Sequence, residues 1–180
     1  YRAGKEHGER GGADVLVLAL FAAAFAVVLL VVSTEWMLQS VNKTRSKLAL
    51  DRALHAAALQ VDREAQAYGR LEWDEAAGRK AFQQVLRLNF QLDNNFSPAA
   101  GSRLAAPPVV HLLEFVSAEA YPARVSRTVT VHAGEYGETT RRVETTIYGP
   151  SVIAVVEVHQ RVRGRLEPIV LSGAASVRFR

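Results

Sequence analysis

The side chains best suited to metal binding or proton transfer are five histidines, His7, His55, His111, His132 and His159. Their spacing supplies no metal-ligand motif, such as two histidines one helical turn apart around a glutamate. Glu157 and His159 lie two residues apart on one strand face. That spacing could hold a cation, but it reads as an exposed polar pair. The serines in Gly101-Ser102, Pro150-Ser151 and Leu171-Ser172-Gly173 lack the strand-turn-helix signature that presents a nucleophile. No glycine loop matches a phosphate-binding or dinucleotide-binding pattern. The chain has no cysteine, which excludes disulfides, thiolate catalysis and cysteine metal sites. Arg161, Arg163, Arg165, Arg178 and Arg180 cluster near the last strands and could attract an anionic polymer, but they read as a solvated face. A net charge of +4 is mild, and nucleic acid is not an expected partner. The expectation is a non-enzymatic protein with no catalytic, cofactor-binding or metal-binding residues.

What the chain offers instead is an element. From Val15 to Val32 no side chain carries a polar atom. At ~1.5 Å per residue, roughly 18 residues span ~27 Å, close to the hydrocarbon thickness of a bilayer. A cleaved secretory signal has a shorter apolar region followed by a small-residue cleavage site. Here the run continues into Ser33-Thr-Glu-Trp-Met-Leu-Gln-Ser40, so a retained anchor is expected. Trp36 reads as an interfacial anchor with Glu35 solvated beside it. Arg2, Lys5 and Arg10 precede the run, and Lys43, Arg45 and Lys47 follow it slightly farther away. By a small margin this places the N-terminus in the cytoplasm and the rest outside. The chain opens on Tyr1 and is expected to have lost an initiator or leader.

Residues 1–12 are polar and glycine-containing and read as a flexible tail. From Ala13 to Tyr68 there is no Pro or Gly. Leu50, Leu54, Ala57, Ala58, Val61, Ala65 and Tyr68 fall on one helical face, with Arg52, Gln60, Arg63 and Glu64 opposite. Gly69 suits a C-terminal cap. The pattern predicts one helix over 13–69, apolar over 15–32 and amphipathic beyond. Residues 70–180 form the extracellular head. Its own helix spans about 74–90, capped by Asp74 and burying Ala81, Phe82, Val85, Leu86 and Leu88–Phe90, with Gly78 weakening it by about 1 kcal/mol. A loop over 91–108 follows. From 109 the period becomes two, through Val129, Val131, Val143, Ile147, Val156, Val158, Ile169, Leu171, Val177 and Phe179. One apolar and one wet face predict an antiparallel meander of four or five strands, with turns at Gly134 to Gly137, Gly149-Pro150 and Gly164. The fold class is α+β, a long N-terminal helix packed on a C-terminal antiparallel sheet. Asn42-Lys-Thr44 and Asn95-Phe-Ser97 match glycan-acceptor spacing.

Three segments resemble the TadE-like membrane proteins: Gly8-Glu-Arg-Gly-Gly-Ala-Asp-Val-Leu-Val-Leu-Ala-Leu20, Leu48-Ala-Leu-Asp-Arg-Ala-Leu-His-Ala-Ala-Ala-Leu-Gln-Val61, and the closing pair of strands ending Ser176-Val-Arg-Phe-Arg180. The overall plan also resembles type IV pilins. The resemblance implies a pilin-like fold and a pilus subunit or pseudopilin. Such a subunit is stored in the inner or cytoplasmic membrane, handled by pilus assembly machinery, and built into a helical homo-oligomer at the cell surface. Pilin leaders carry a Glu within the apolar segment, where this chain has Leu16; Asp14 is the nearest acid. The residues expected at the assembly surface are Val15, Leu18, Phe21, Ala22, Phe25, Ala26, Leu29 and Val32; Asp14 and Glu35 are candidates for inter-subunit charge, the solvated reading of Glu35 being preferred. Ala19, Ala22, Ala23, Ala24 and Ala26 would let neighbouring helix backbones approach closely. The rival expectation is a single-pass anchored binding domain or secretion-machinery component that does not polymerise.

Overall fold

The computed structural model describes residues 7–132, 138–162 and 165–177. The chain divides into two compact units, Tyr1–Asn42 and Lys43–Arg180. Helix α1 (His7–Ala58) is the described part of the first unit, and its C-terminal portion opens the second. The second unit continues with α2 (Arg63–Ala67), α3 (Glu75–Phe90), β1 (Ala106–Val116), β2 (Ala123–His132), β3 (Glu138–Ile147), β4 (Ser151–Val162) and β5 (Arg165–Ser176). The chain is therefore α+β, with a long apolar N-terminal helix and antiparallel strand pairing. The start of α1 differs from the expected tail over 1–12, because His7–Gly12 are helical; residues 1–6 lie outside the described residues. Extending an existing helix by a few residues needs no new nucleus, so glycines there are tolerated.

The predicted helix over 13–69 is corrected at its far end. α1 stops at Ala58, and Val61 forms a bridge with Trp73 instead. Two backbone bonds hold this crossing, Asp62 N–H to Glu72 O at 2.9 Å and Asp74 N–H to Gln60 O at 3.1 Å. Asp62 restarts the helix, its carboxylate accepting from the N–H groups of Glu64 and Ala65. Gly69, at φ +72°, follows α2 and not α1. Tyr68, expected on the buried face, is consequently exposed.

The Asp74 carboxylate accepts from the N–H of Ala77 to cap α3, and Gln91 ends the helix in the left-handed region. Phe82, Leu86 and Phe90 face inward, but Leu88, predicted to do so, is exposed. Gly78 is buried. A Cβ there would come within 2.6 Å of Phe115 Cζ, so its role is close approach of α3 to β1.

The strands do not form a meander. β1, β4 and β5 make a three-stranded antiparallel sheet in the order β1-β4-β5, while β2 and β3 pair as a separate hairpin. β4 is central, and Ser151–Val158 is buried throughout. Val152, Ala154, Val156 and Val158 pack on Leu50, Leu54 and Ala57 of α1 and Phe82 and Leu86 of α3. Ile153 and Val155, on the other face, pack on Val125, Val129, Val131 and Ile147 of the hairpin. The second unit is thus three layers, helices, sheet and hairpin. The wet face expected of β4 is covered, as its nearly continuous apolar run requires. The expected turns at Gly134 to Gly137 and at Gly164 lie outside the described residues.

Candidate functional site

In the first unit, every described side chain from Asp14 to Val32 is exposed. Leu18 is 71% accessible, Phe21 68% and Phe25 64%. This is the one helix among the described residues long and apolar enough to cross a membrane, a property shared by anchors and signal sequences. Spacing on α1 brings Val15, Leu18, Phe21, Ala22, Phe25, Ala26, Leu29 and Val32 onto one face, within an arc of roughly 140° at ~100° per residue. Asp14 lies exposed at the start of that run, and Glu35, half-buried, lies just beyond its end.

Where the apolar run meets polar sequence, the helix meets its own polar demands. Ser33 Oγ donates to Leu29 O at 2.6 Å and Thr34 Oγ1 to Leu30 O at 2.8 Å. A hydroxyl bonded back to the i−4 carbonyl leaves no unsatisfied donor, so these residues add little cost in a dry environment. Trp36 follows at 72% exposure, with Met37 and Leu38 also exposed. An amphipathic indole at the end of an apolar span fits a membrane–water interface.

The second unit places its chemistry-bearing residues differently from the sequence expectation. Glu157 is 2% exposed and does not form an open pair with His159. His111 Nε2 lies 2.8 Å from Glu157 Oε2, and His159 Nε2 lies 3.3 Å from Oε1. His111 was not linked to Glu157 by sequence spacing. It reaches the carboxylate because the β1–β4 register shifts between Val110 and Leu112, leaving His111 as the extra residue of a bulge. The two imidazoles address different oxygens, a bracket around one carboxylate and not a shared point of coordination. Among the described residues no group of three or more His, Asp or Glu is arranged to hold a metal ion.

Of the three serines Ser102, Ser151 and Ser172, the first two bond to backbone carbonyls and the third is exposed on β5. Ser102 Oγ donates to Phe90 O and Ser151 Oγ to Gly149 O, while Ser176 Oγ lies 2.7 Å from Ser151 Oγ. Arg161 and Arg165 are exposed on β4 and β5. Arg163, Arg178 and Arg180, with the side chains of His7 and His132, lie outside the described residues.

Between β1 and β2, Arg127 grips Glu114 through two bonds, Nε to Oε2 at 2.7 Å and Nη2 to Oε1 at 2.6 Å. The hydrogen bonds from Arg127 hold the Glu114 carboxyl below its ordinary range; partial burial opposes this, and the charge of Arg127 adds to it. Ser46, buried on α1, accepts from Gln160 Nε2 of β4 at 3.0 Å. These polar contacts fix the layers against one another.

Comparison with protein-family models, with curated proteins and with solved structures returns no match.

Proposed function

We propose that this chain is a structural subunit of a bacterial surface filament of the pilin-like, TadE-like kind. Its apolar helix rests first in the membrane and then in the core of a helical polymer. The observation that carries the reading is exposure of α1 from Val15 to Val32 on every side. Burying a Val, Leu or Phe is worth ~1.5–3 kcal/mol, so covering this stretch is worth on the order of 20–40 kcal/mol. That exceeds the ~5–15 kcal/mol stability of a whole domain, so the helix cannot stand in water alone. Lipid covers it, and so do sister helices. The alanines at 19, 22, 23, 24 and 26 allow the close backbone approach that helix–helix packing without water requires. The α+β second unit would coat the fibre through repeated heterologous contacts, which generate open helical assemblies. Asp14 and Glu35, at the two ends of the apolar run, supply charges for neighbouring copies.

A second reading follows from Trp36, whose exposed indole suits a lasting position at a bilayer surface. In it the chain is a single-pass anchored component that never polymerises. Polar substitution at Ala22 and Ala26, with electron microscopy of sheared surface material, separates the two. Loss of fibres with the chain still inserted and folded supports the filament. Absence of fibres from cells making the unaltered chain supports the anchored component.

A further inference from the structure

A cleft of about 610 Å³ opens in the second unit between α1, β3 and β5. Its lining includes Ser172, Gly173, Ala174, Ala175 and Ser176 in unbroken succession, and Val143 to Thr146 in the same manner. A strand that turns a face to a cleft contributes alternate residues. One that contributes consecutive residues presents its edge, and with it the main chain.

The topology agrees. Among the described residues β5 is the outer strand of its sheet and pairs with β4 alone, and β3 pairs with β2 alone. The direction of the free main-chain groups on β5 follows from three observations. Lys47 Nζ, reaching over from α1, donates to Ser172 O at 2.7 Å, so that oxygen is not committed to β4. In an antiparallel ladder the N–H and C=O of one residue point the same way and alternate along the strand. Ser172, Ala174 and Ser176 therefore aim both groups into the cleft. Val177, of opposite parity, donates its N–H inward to Pro150 O. Pro168 shares the parity of Ser172, and an edge strand can hold a residue without N–H only where that N–H would face outward.

We propose that this edge is a docking site for an isolated extended segment of a partner polypeptide, a tail or linker with small and hydroxyl side chains, which adds as a fourth strand beside β5. The edge groups supply the main-chain bonds that strand addition uses. The cleft has two walls, α1 with Lys47 and His55, and β3 with Thr145 and Thr146. A single chain enters between them, whereas the edge of another folded sheet, carrying its own layers, does not. Thr146 and Ser172, both exposed in the lining of the cleft, favour polar side chains of modest size, while the Ser176 hydroxyl is taken by Ser151. Lys47, already bonded to Asp51 as well as to Ser172, guards the edge against indiscriminate pairing.

The test is hydrogen exchange on the full chain in detergent micelles. The probe is an equimolar pool of octapeptides built from Ser, Thr, Ala and Gly, and the control is the same pool N-methylated at every residue. The amides of Ser172, Ala174 and Ser176 are expected to slow roughly tenfold with the probe and not with the control. Ala174→Pro removes one outward N–H without touching the β4 ladder, so its unfolding midpoint should hold while the response is lost. Should that variant fail to fold, the methylated control decides alone. No slowing with the probe, or equal slowing with the methylated pool, overturns the proposal. So does slowing caused by raising the protein concentration without peptide, which would make a second copy the occupant.

Discussion

Replacing Gly78 by Ala sets two effects of known size against each other. In an exposed helix the change gains about 1 kcal/mol, because glycine loses more backbone freedom on folding than alanine. In this structure the new Cβ would lie 2.6 Å from Phe115 Cζ and 2.8 Å from Cε1, well inside contact distance. The ring cannot simply swing aside. Trp73 packs against it with centroids 5.5 Å apart, and the Arg79 guanidinium sits 5.8 Å from its centroid. Overpacking of this kind costs ~1–3 kcal/mol, so Gly78→Ala should be net destabilising by about 1 kcal/mol. In a Phe115→Leu background the offending atoms are gone, and the same substitution should become stabilising by up to ~1 kcal/mol. The sign reversal is the diagnostic. Urea unfolding of the detergent-solubilised chain, read by Trp73 fluorescence with Trp36 replaced by Phe, gives the four stabilities of the cycle. A coupling energy of roughly 2 kcal/mol is expected. Stabilisation by Gly78→Ala in the unaltered background would refute the packing argument, as would additivity within about 0.5 kcal/mol.

Two further outcomes follow from the interior contacts. Because Arg127 holds the folded-state titration of Glu114 below its ordinary value, the pair contributes fully above that value. The contribution is lost as the pH falls through the lowered one. Both side chains are about a third exposed, so the effect should stay under ~1 kcal/mol. The urea midpoint of Glu114→Gln should lie below that of the parent at neutral pH and converge with it in acid. Ser46→Ala should cost ~1–3 kcal/mol by leaving the Gln160 amide buried with one bond fewer. Adding Gln160→Leu should return much of that loss in the same unfolding assay.

Local chemistry was readable wherever a residue acts on its neighbours. The unbroken apolar run marked α1, and Asp74 marked the start of α3, because capping and periodicity are short-range properties. Asp62 was the missed signal at the end of α1. It is as good an N-cap as Asp74, but the apolar period continues across it through Val61 and Ala65 and conceals the break. Long-range pairing was not readable. β1 joins β4 across some forty residues, and nothing in either strand names the other. The best hint was the run Ser151–Val158, whose lack of wet alternation marks a central strand covered on both faces. A run of that kind implies that Glu157 within it needs buried partners, which makes His111 a candidate. Gly78 was read as a helix weakness for the same reason: its purpose lies in Phe115, far along the chain.

Absence of cysteine from the chain allows a direct test of whether the apolar helix exchanges lipid for copies of itself. With Cys introduced at Ala22, any disulfide between copies reports two helices meeting at that depth. Oxidation of sheared extracellular material from cells making Ala22→Cys should give covalent dimers, the largest species one thiol per chain allows, with Cys placed on the exposed head residue Thr140 as a non-bonding reference. Monomers alone in that material, or release of the protein by detergent from membranes and never by shear, would contradict the account.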